Sequence, residues 1–465
     1  MKATFIGGGS HRLLGILREA MAERRIFEGG EIYLHDLNLA RAEAMGRMLM
    51  KTPEFAKIRC RIRWGNELDT ALENADLVGV ILMAGSVLSF RLGDEASRRH
   101  GFLSSDNISP NGAFLALKGA PILMKIARRM EKLCPEAWLL DFANPVAVHS
   151  GLINHYTRIR ALGVCAGFTN HQWDIARLLG KDEQALDLDV QSAGVNHMSV
   201  VIKASRGGKD LFPLLDRCLG ERWKMPRLQS YWGPDGQANI RNSVTRLRDI
   251  YRQYGVLLFS TEPEGLWHLR YEEALAEDRR KHPPLAPAAF KAKIARELQA
   301  RRAADEDFQS WLDRDLDAAF WAGRGEQDLT FRHATHDIFA TILKGAAGIR
   351  PVRIATSRPN EGAVAGFKDR TILEYTQVLH KNTIRTAGQY EIPDVIHGVI
   401  GALATHQTLL ADALGANDPR LLAHALLAFP VHPYSDSLRA LCRDLLTINA
   451  KEIPPVFRKT RDYLR

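Results

Sequence analysis

The chain has 465 residues, 46% of them hydrophobic and 25% charged. That is enough apolar material for a large core, and the ordinary charge content excludes a disordered chain. The formal net charge of +9 comes from scattered Lys and Arg with no basic tail and no nucleic-acid module, so nucleic acid is not an expected partner, whereas a small anionic substrate is allowed.

No run reaches the roughly 18 apolar residues of a membrane span, so no membrane partner is expected. Met1-Lys2 leads directly into a strand, which leaves no room for a signal peptide. The cysteines are Cys60, Cys134, Cys165, Cys218 and Cys442. An odd number in a large chain suits free thiols and a cytoplasmic location.

Residues 2–6 predict a short buried strand, followed by the turn Gly7-Gly8-Gly9-Ser10 and a helix starting near His11. A second strand over 31–35 ends in Asp36. Strand, glycine turn, helix, strand and terminal acid are the first unit of a parallel dinucleotide-binding sheet. The backbone N–H groups of the turn would face a pyrophosphate, and Asp36 the adenosine ribose. The string departs from G-x-G-x-x-G, since position 12 is Arg. Further strands are expected over 75–83, 137–142 and 159–165, with an amphipathic helix over 113–133. Their polar residues lie at strand C-termini, where such sheets bind ligands. Residues 188–202 alternate like strands broken near Asn196-His197. From about 285 the chain reads as mainly helical, with helices over 417–429 and 433–447. The expected class is therefore α/β: a Rossmann-type parallel sheet over 1–165, and an α+β, mainly helical domain over 166–465 for substrate, metal and oligomerisation.

Candidate chemistry lies in several loops. Cys165 and His197 both follow strand ends and offer a thiolate and an imidazole, a pair that suits a borderline transition ion, although a lone Cys and a lone His more often read as a buried thiol and a hydrogen-bonded core histidine. Asp106 sits in a polar loop before a helix, as an acid or as a helix cap. Asn144 precedes Pro145 and could meet sugar hydroxyls or close a turn. Glu262 and Glu264 lie in an acidic loop, where a carboxylate is a base or merely solvated. Tyr251 and Tyr254 come just before it.

Taken together these motifs resemble glycoside hydrolase family 4, the NAD-dependent and usually Mn²⁺-dependent glycosidases. The resemblance runs nearly end to end. It takes in Gly7 to Ser10, Asp36, Arg91-Leu92-Gly93-Asp94-Glu95, the Asp106–Gly112 loop, Asn144-Pro145, Gly163-Val164-Cys165, Asn196-His197 and Asp418-Pro419. Within the family the uronate-active α-glycosidases look nearest, and the NAD-dependent sulfoquinovosidases are a related group.

The resemblance implies a set of roles. Cys165 and His197 would hold Mn²⁺ or another divalent ion, and Gly7, Gly8, Gly9, Ser10 and Asp36 would hold NAD. Asp106 would protonate the leaving group, and Glu262 or Tyr254 (with Tyr251 a further alternative) would remove a proton. Asn144, Asn196, Arg91 and Lys118 would meet the sugar, and Arg246 and Arg248 could join them around a charged C6 group. Residues around the sugar depart from the family: Ala166 follows Cys165, Lys118 replaces an Arg, and Glu264 replaces a His. The function implied is hydrolysis of an α-linked, C6-charged hexoside by oxidation at C3, elimination, water addition and re-reduction. An ordinary sugar dehydrogenase and an inactive NAD- or sugar-binding protein are the alternatives. A homodimer or homotetramer is implied as well.

Overall fold

A computed structural model describes residues 1–165, 167–181, 185, 187–220, 222–226, 234–258, 267–328, 330–334 and 337–465, with residues 167–170, 234–239 and 326 described by their backbone alone. Its strands are β1 (Lys2–Ile6), β2 (Glu31–His35), β3 (Arg61–Gly65), β4 (Leu77–Val80), β5 (Trp138–Asp141), β6 (Arg160–Gly163), β7 (Asp189–Val195), β8 (Met198–Arg206), β9 (Lys209–Asp210), β10 (Val352–Pro359), β11 (Ile372–His380) and β12 (Thr383–Thr386). All twelve join one sheet in the order β3-β2-β1-β4-β5-β6-β10-β11-β7-β8-β9, with β12 beside β11.

The first six strands are parallel to their neighbours. Each is short, and all but the exposed edge strand β3 are largely buried, as strands covered on both faces of a parallel sheet are. Strand order reverses direction between β1 and β4, which opens a crevice at the strand C-termini. The expected Rossmann sheet is therefore present. The expected α+β, mainly helical second half is present as well, and it carries three strands that the sequence reading did not place. β10, β11 and β12 lie within it, and β10 continues the parallel sheet by pairing antiparallel to β6 at Ser357 and Gly163. Whereas β12 is short and largely exposed, β10 and β11 escaped detection because both of their faces are covered. They bury Thr356, Ser357, Glu374, Thr376 and Gln377 among their apolar residues, which erases the two-residue alternation.

Two helix starts place the site. Ser109 accepts from the Gly112 N–H at 3.0 Å and Pro110 occupies the first turn, so the helix Pro110–Leu133 begins directly after the Asp106 loop. The helix Arg12–Ala22 begins at the glycine turn with no side-chain cap. It is anchored from the second half of the chain. Arg18 makes a two-pronged pair with Glu54, donates to the Phe331 carbonyl and lies over the Trp321 ring. His333 bridges Glu19 and Glu54 at 3.0 and 2.9 Å.

Hydrogen bonds donated to these two carboxylates raise His333 to about 9. A histidine raised in the fold adds stability in full below its unfolded value of roughly 6.5 and loses it as pH climbs through about 9. Replacing His333 with Gln is expected to cost about 2 kcal/mol at pH 6, after allowance for solvent screening, and little above pH 9.5. Urea denaturation at the two pH values checks this, and an equal cost at both would refute it.

Candidate active site

β1 ends at Ile6, and the chain then turns through Gly7 with φ +84°. A Cβ there would lie 1.9 Å from the Ile81 carbonyl oxygen, so the turn accepts only glycine. The Gly7 and Gly8 N–H groups donate to the His35 carbonyl at 2.9 and 2.8 Å. Gly9 donates to Asp36 Oδ2 at 3.0 Å, and Asn38 to Oδ1 at 2.9 Å. A Cβ on Gly9 would fall 2.5 Å from the Arg41 Cβ. The turn is thus drawn tight against β2, with the uncapped positive end of Arg12–Ala22 beyond it. With the turn's own N–H groups engaged internally, it is the close approach that glycine permits and the uncapped helix start beyond it that fit the pyrophosphate of a dinucleotide. His11 and Arg41, flanking it, both pair with Asp305 of the helix Pro287–Ser310.

A second cluster forms where three distant segments meet. Cys165 Sγ and His197 Nε2 lie 3.4 Å apart. Asn107 Nδ2 donates to Asp106 Oδ1 at 3.3 Å and lies 3.1 Å from His197 Nε2. Thus Asp106, Cys165 and His197 do come together, and Asn107 joins them although no sequence motif singled it out. Asn196-His197 is the two-residue connection between β7 and β8, with Val195 paired to Met198 and His197 at φ +63°. This left-handed turn swings the imidazole toward Cys165. A sulfur and a nitrogen bound to one tetrahedral ion at about 2.3 and 2.1 Å would be roughly 3.6 Å apart, so the pair fits a shared divalent ion. Among the described residues, no group of three or more His, Cys, Asp or Glu forms a complete metal cage. Remaining positions would fall to water or substrate oxygens.

Asn144 follows a segment that one buried carboxylate ties down, and Asn196 is held directly by another. Asn144 precedes a cis Pro145. Just upstream, Asp141 Oδ1 accepts the Ala143 N–H at 3.0 Å, and His149 Nδ1 lies 2.8 Å from the Ala143 carbonyl and 3.3 Å from Asp141 Oδ2. Burial drives Asp141 up from the usual carboxylate range, against the pull of His149. Asn196 Nδ2 donates to Glu374 Oε2 at 2.8 Å. Burial also raises Glu374, opposed by that hydrogen bond and by His197.

The cations expected around the sugar are engaged elsewhere. Arg91 grips Glu297 through Nε and Nη2 at 3.0 and 3.1 Å and Asp94 through Nη1 at 3.0 Å. Asp94 in turn receives Ser104 Oγ at 2.7 Å, so Arg91 braces the loop that carries Asp106. Lys118, with a side chain 3% exposed, donates to Ser89 and Asn449 and lies 3.4 Å from Glu452. Burial lowers Lys118. Glu452 reaches about 2 because hydrogen bonds from Ser86 and Ser89 and the Lys118 charge outweigh its desolvation. An ammonium with three internal partners and almost no exposure is engaged within the fold. Arg246 pairs with Glu277, and Arg248 with Asp249. Tyr251 donates to Asp216 at 2.6 Å. Burial and that bond raise its hydroxyl. Tyr254 is half-buried against the main core. Glu262, Glu264 and Ala166 lie outside the described residues. No described helix is long and apolar enough to cross a membrane.

A glycine cradle at the reversal of a parallel sheet, beside a thiol–imidazole–carboxylate cluster, defines an α/β enzyme of the dinucleotide-binding class. Two family models match the chain: family 4 glycosyl hydrolase over residues 2–181, and the C-terminal domain of family 4 glycosyl hydrolases over 192–432. The chain belongs to glycosyl hydrolase family 4 and is an NAD-dependent glycoside hydrolase. It is 22% identical to an alpha-galacturonidase of Thermoanaerobacter italicus, over 100% of this chain and 97% of that one. It is 21% identical to a probable 6-phospho-beta-glucosidase of Bacillus subtilis, over 99% and 98%. Among solved structures, a 6-phospho-alpha-glucosidase from gut microorganisms in complex with NAD and Mn²⁺ superimposes with a TM-score of 0.78 at 18% identity, over 97% of this chain and 99% of that one.

Proposed function

We propose that this chain hydrolyses an α-linked hexoside charged at C6 by redox elimination, with Cys165 and His197 holding a divalent ion and the Gly7–Ser10 turn holding NAD. The observation that carries this reading is the meeting of Cys165 with His197 and the link from His197 through Asn107 to Asp106. When bound, NAD supplies reversible hydride exchange at the sugar C3, and the ion supplies a Lewis acid. The residues of the chain supply the rest. Asp36 receives the adenosine ribose. Asn144 and Asn196 orient the sugar hydroxyls. Glu262 or Tyr254 takes the C2 proton, and Asp106 gives a proton to the departing C1 oxygen. Water is consumed, and no NADH accumulates. A charged C6 group is supported by relatives named for galacturonides and 6-phosphoglucosides. The α linkage rests on the alpha-galacturonidase, which matches over the whole chain.

The test is a panel of 4-nitrophenyl α-glycosides (uronide, 6-phospho, sulfoquinovosyl and neutral forms), with and without NAD⁺ and Mn²⁺. Nitrophenol release that requires NAD⁺ without NADH build-up is expected, and in D₂O the product sugar should carry deuterium at C2. Stoichiometric NADH would instead make the protein a dehydrogenase, and turnover without C2 deuterium would exclude elimination.

A further inference from the structure

Behind Asn196 stands a residue that no sequence motif marked. Glu374 lies in β11 opposite Gly194 of β7 and is 2% exposed. Its Oε2 accepts from Asn196 Nδ2 at 2.8 Å and from Ser357 Oγ at 3.3 Å. A buried carboxylate must find donors, and an ionised one offers only acceptors. Facing it, the Asn196 amide presents its NH₂. The amide oxygen is thereby turned away, and Asn196 Oδ1 is buried with no partner among the described residues. Asn196 lines a small cleft with Asn107, Ile108, Pro145, His406 and Gln407. Asn107 is the residue that touches both Asp106 and His197. A buried acceptor without a donor is costly until something supplies one.

We propose that Glu374 is a positioning residue: it fixes the Asn196 amide so that its oxygen accepts a hydrogen bond from a sugar hydroxyl. This rests on the glycosidase reading above. It adds a specificity rule, since the Asn196 oxygen then favours a substrate group that donates and disfavours one that can only accept. Ser357 holds the second approach to the same carboxylate oxygen, which keeps Glu374 from rotating when the sugar leaves.

The test compares wild type, Glu374→Gln, Asn196→Asp and the double variant, loaded with NAD⁺ and Mn²⁺, on the nitrophenyl glycoside of the panel that wild type cleaves fastest. Glu374→Gln leaves the Asn196 amide free to flip. It is expected to raise KM about 10- to 100-fold with a smaller change in kcat, while thermal midpoint and NAD⁺ affinity stay at wild-type values. Asn196→Asp sets two carboxylates together and should be worse. In the double variant the two groups exchange roles: the amide introduced in β11 donates to the carboxylate introduced in the turn, whose other oxygen again accepts from the sugar. Activity should return to within about tenfold of wild type. A folded Glu374→Gln with wild-type KM overturns the proposal, as does a folded double variant no better than Asn196→Asp. Crystal structures of wild type and Glu374→Met decide it without substrate. Asn196 should contact Glu374 in the first and leave that rotamer in the second. Separation in wild type, or an unmoved Asn196 in the variant, overturns it. If wild type cleaves no glycoside, the functional reading fails and the two crystal structures alone judge Glu374.

Discussion

Replacing Cys165 by Ser is expected to lower turnover about 10³-fold and to abolish stimulation by Mn²⁺. A metal acting as a Lewis acid contributes several kcal/mol to charge stabilisation, and about 4 kcal/mol corresponds to three orders of magnitude. Serine preserves the size and position of the side chain, so the fold should survive. It does not preserve the donor, because a thiolate forms readily beside a cation whereas an alkoxide does not. The Sγ–Nε2 separation of 3.4 Å is close to what one shared ion requires, so losing one arm leaves His197 alone. Binding of Mn²⁺ to the purified variant, followed by electron paramagnetic resonance, should weaken in parallel with activity. Full activity of wild type in excess chelator would make Cys165 and His197 structural and end the metal assignment.

The first βαβ unit was open to sequence reading because its signals are contiguous: strand, glycine turn, helix and Asp36 lie within residues 2–36. The strand ends carrying Asn144, Cys165 and His197 were legible for the same reason, each sitting next to its own apolar run. What stayed hidden depends on distant partners. Lys118 looks like a substrate cation until Asn449, 331 residues away, occupies it. Arg91 looks free until Glu297, 206 residues away, takes its guanidinium. Glu374 has no local motif at all. It sits in a strand buried on both faces, where polar residues interrupt the pattern that would announce a strand. Periodicity reports half-buried surfaces well and central strands poorly, and in this molecule the central antiparallel strands stand directly behind the site.

The Asp106→Asn variant should separate the steps of the reaction through its leaving-group dependence. Asp106 is half-buried at the entrance to the helix Pro110–Leu133, within a loop that Ser105, Asn107 and Ser109 tie to itself. An amide in its place keeps the Asn107 contact but cannot give a proton. General acid catalysis is worth about 10²- to 10⁴-fold, and its value grows as the leaving group becomes more basic. An alkyl glycoside should therefore lose about 10³-fold, whereas a nitrophenyl glycoside, whose phenolate departs unaided, should lose less than about tenfold. Exchange of the C2 hydrogen with solvent deuterium should continue, because oxidation and deprotonation precede C1–O cleavage. The result that counts against this role is an equal loss on both aglycones together with loss of C2 exchange. Asp106 would then act before the bond breaks, through its contact with Asn107 and the imidazole that Asn107 touches.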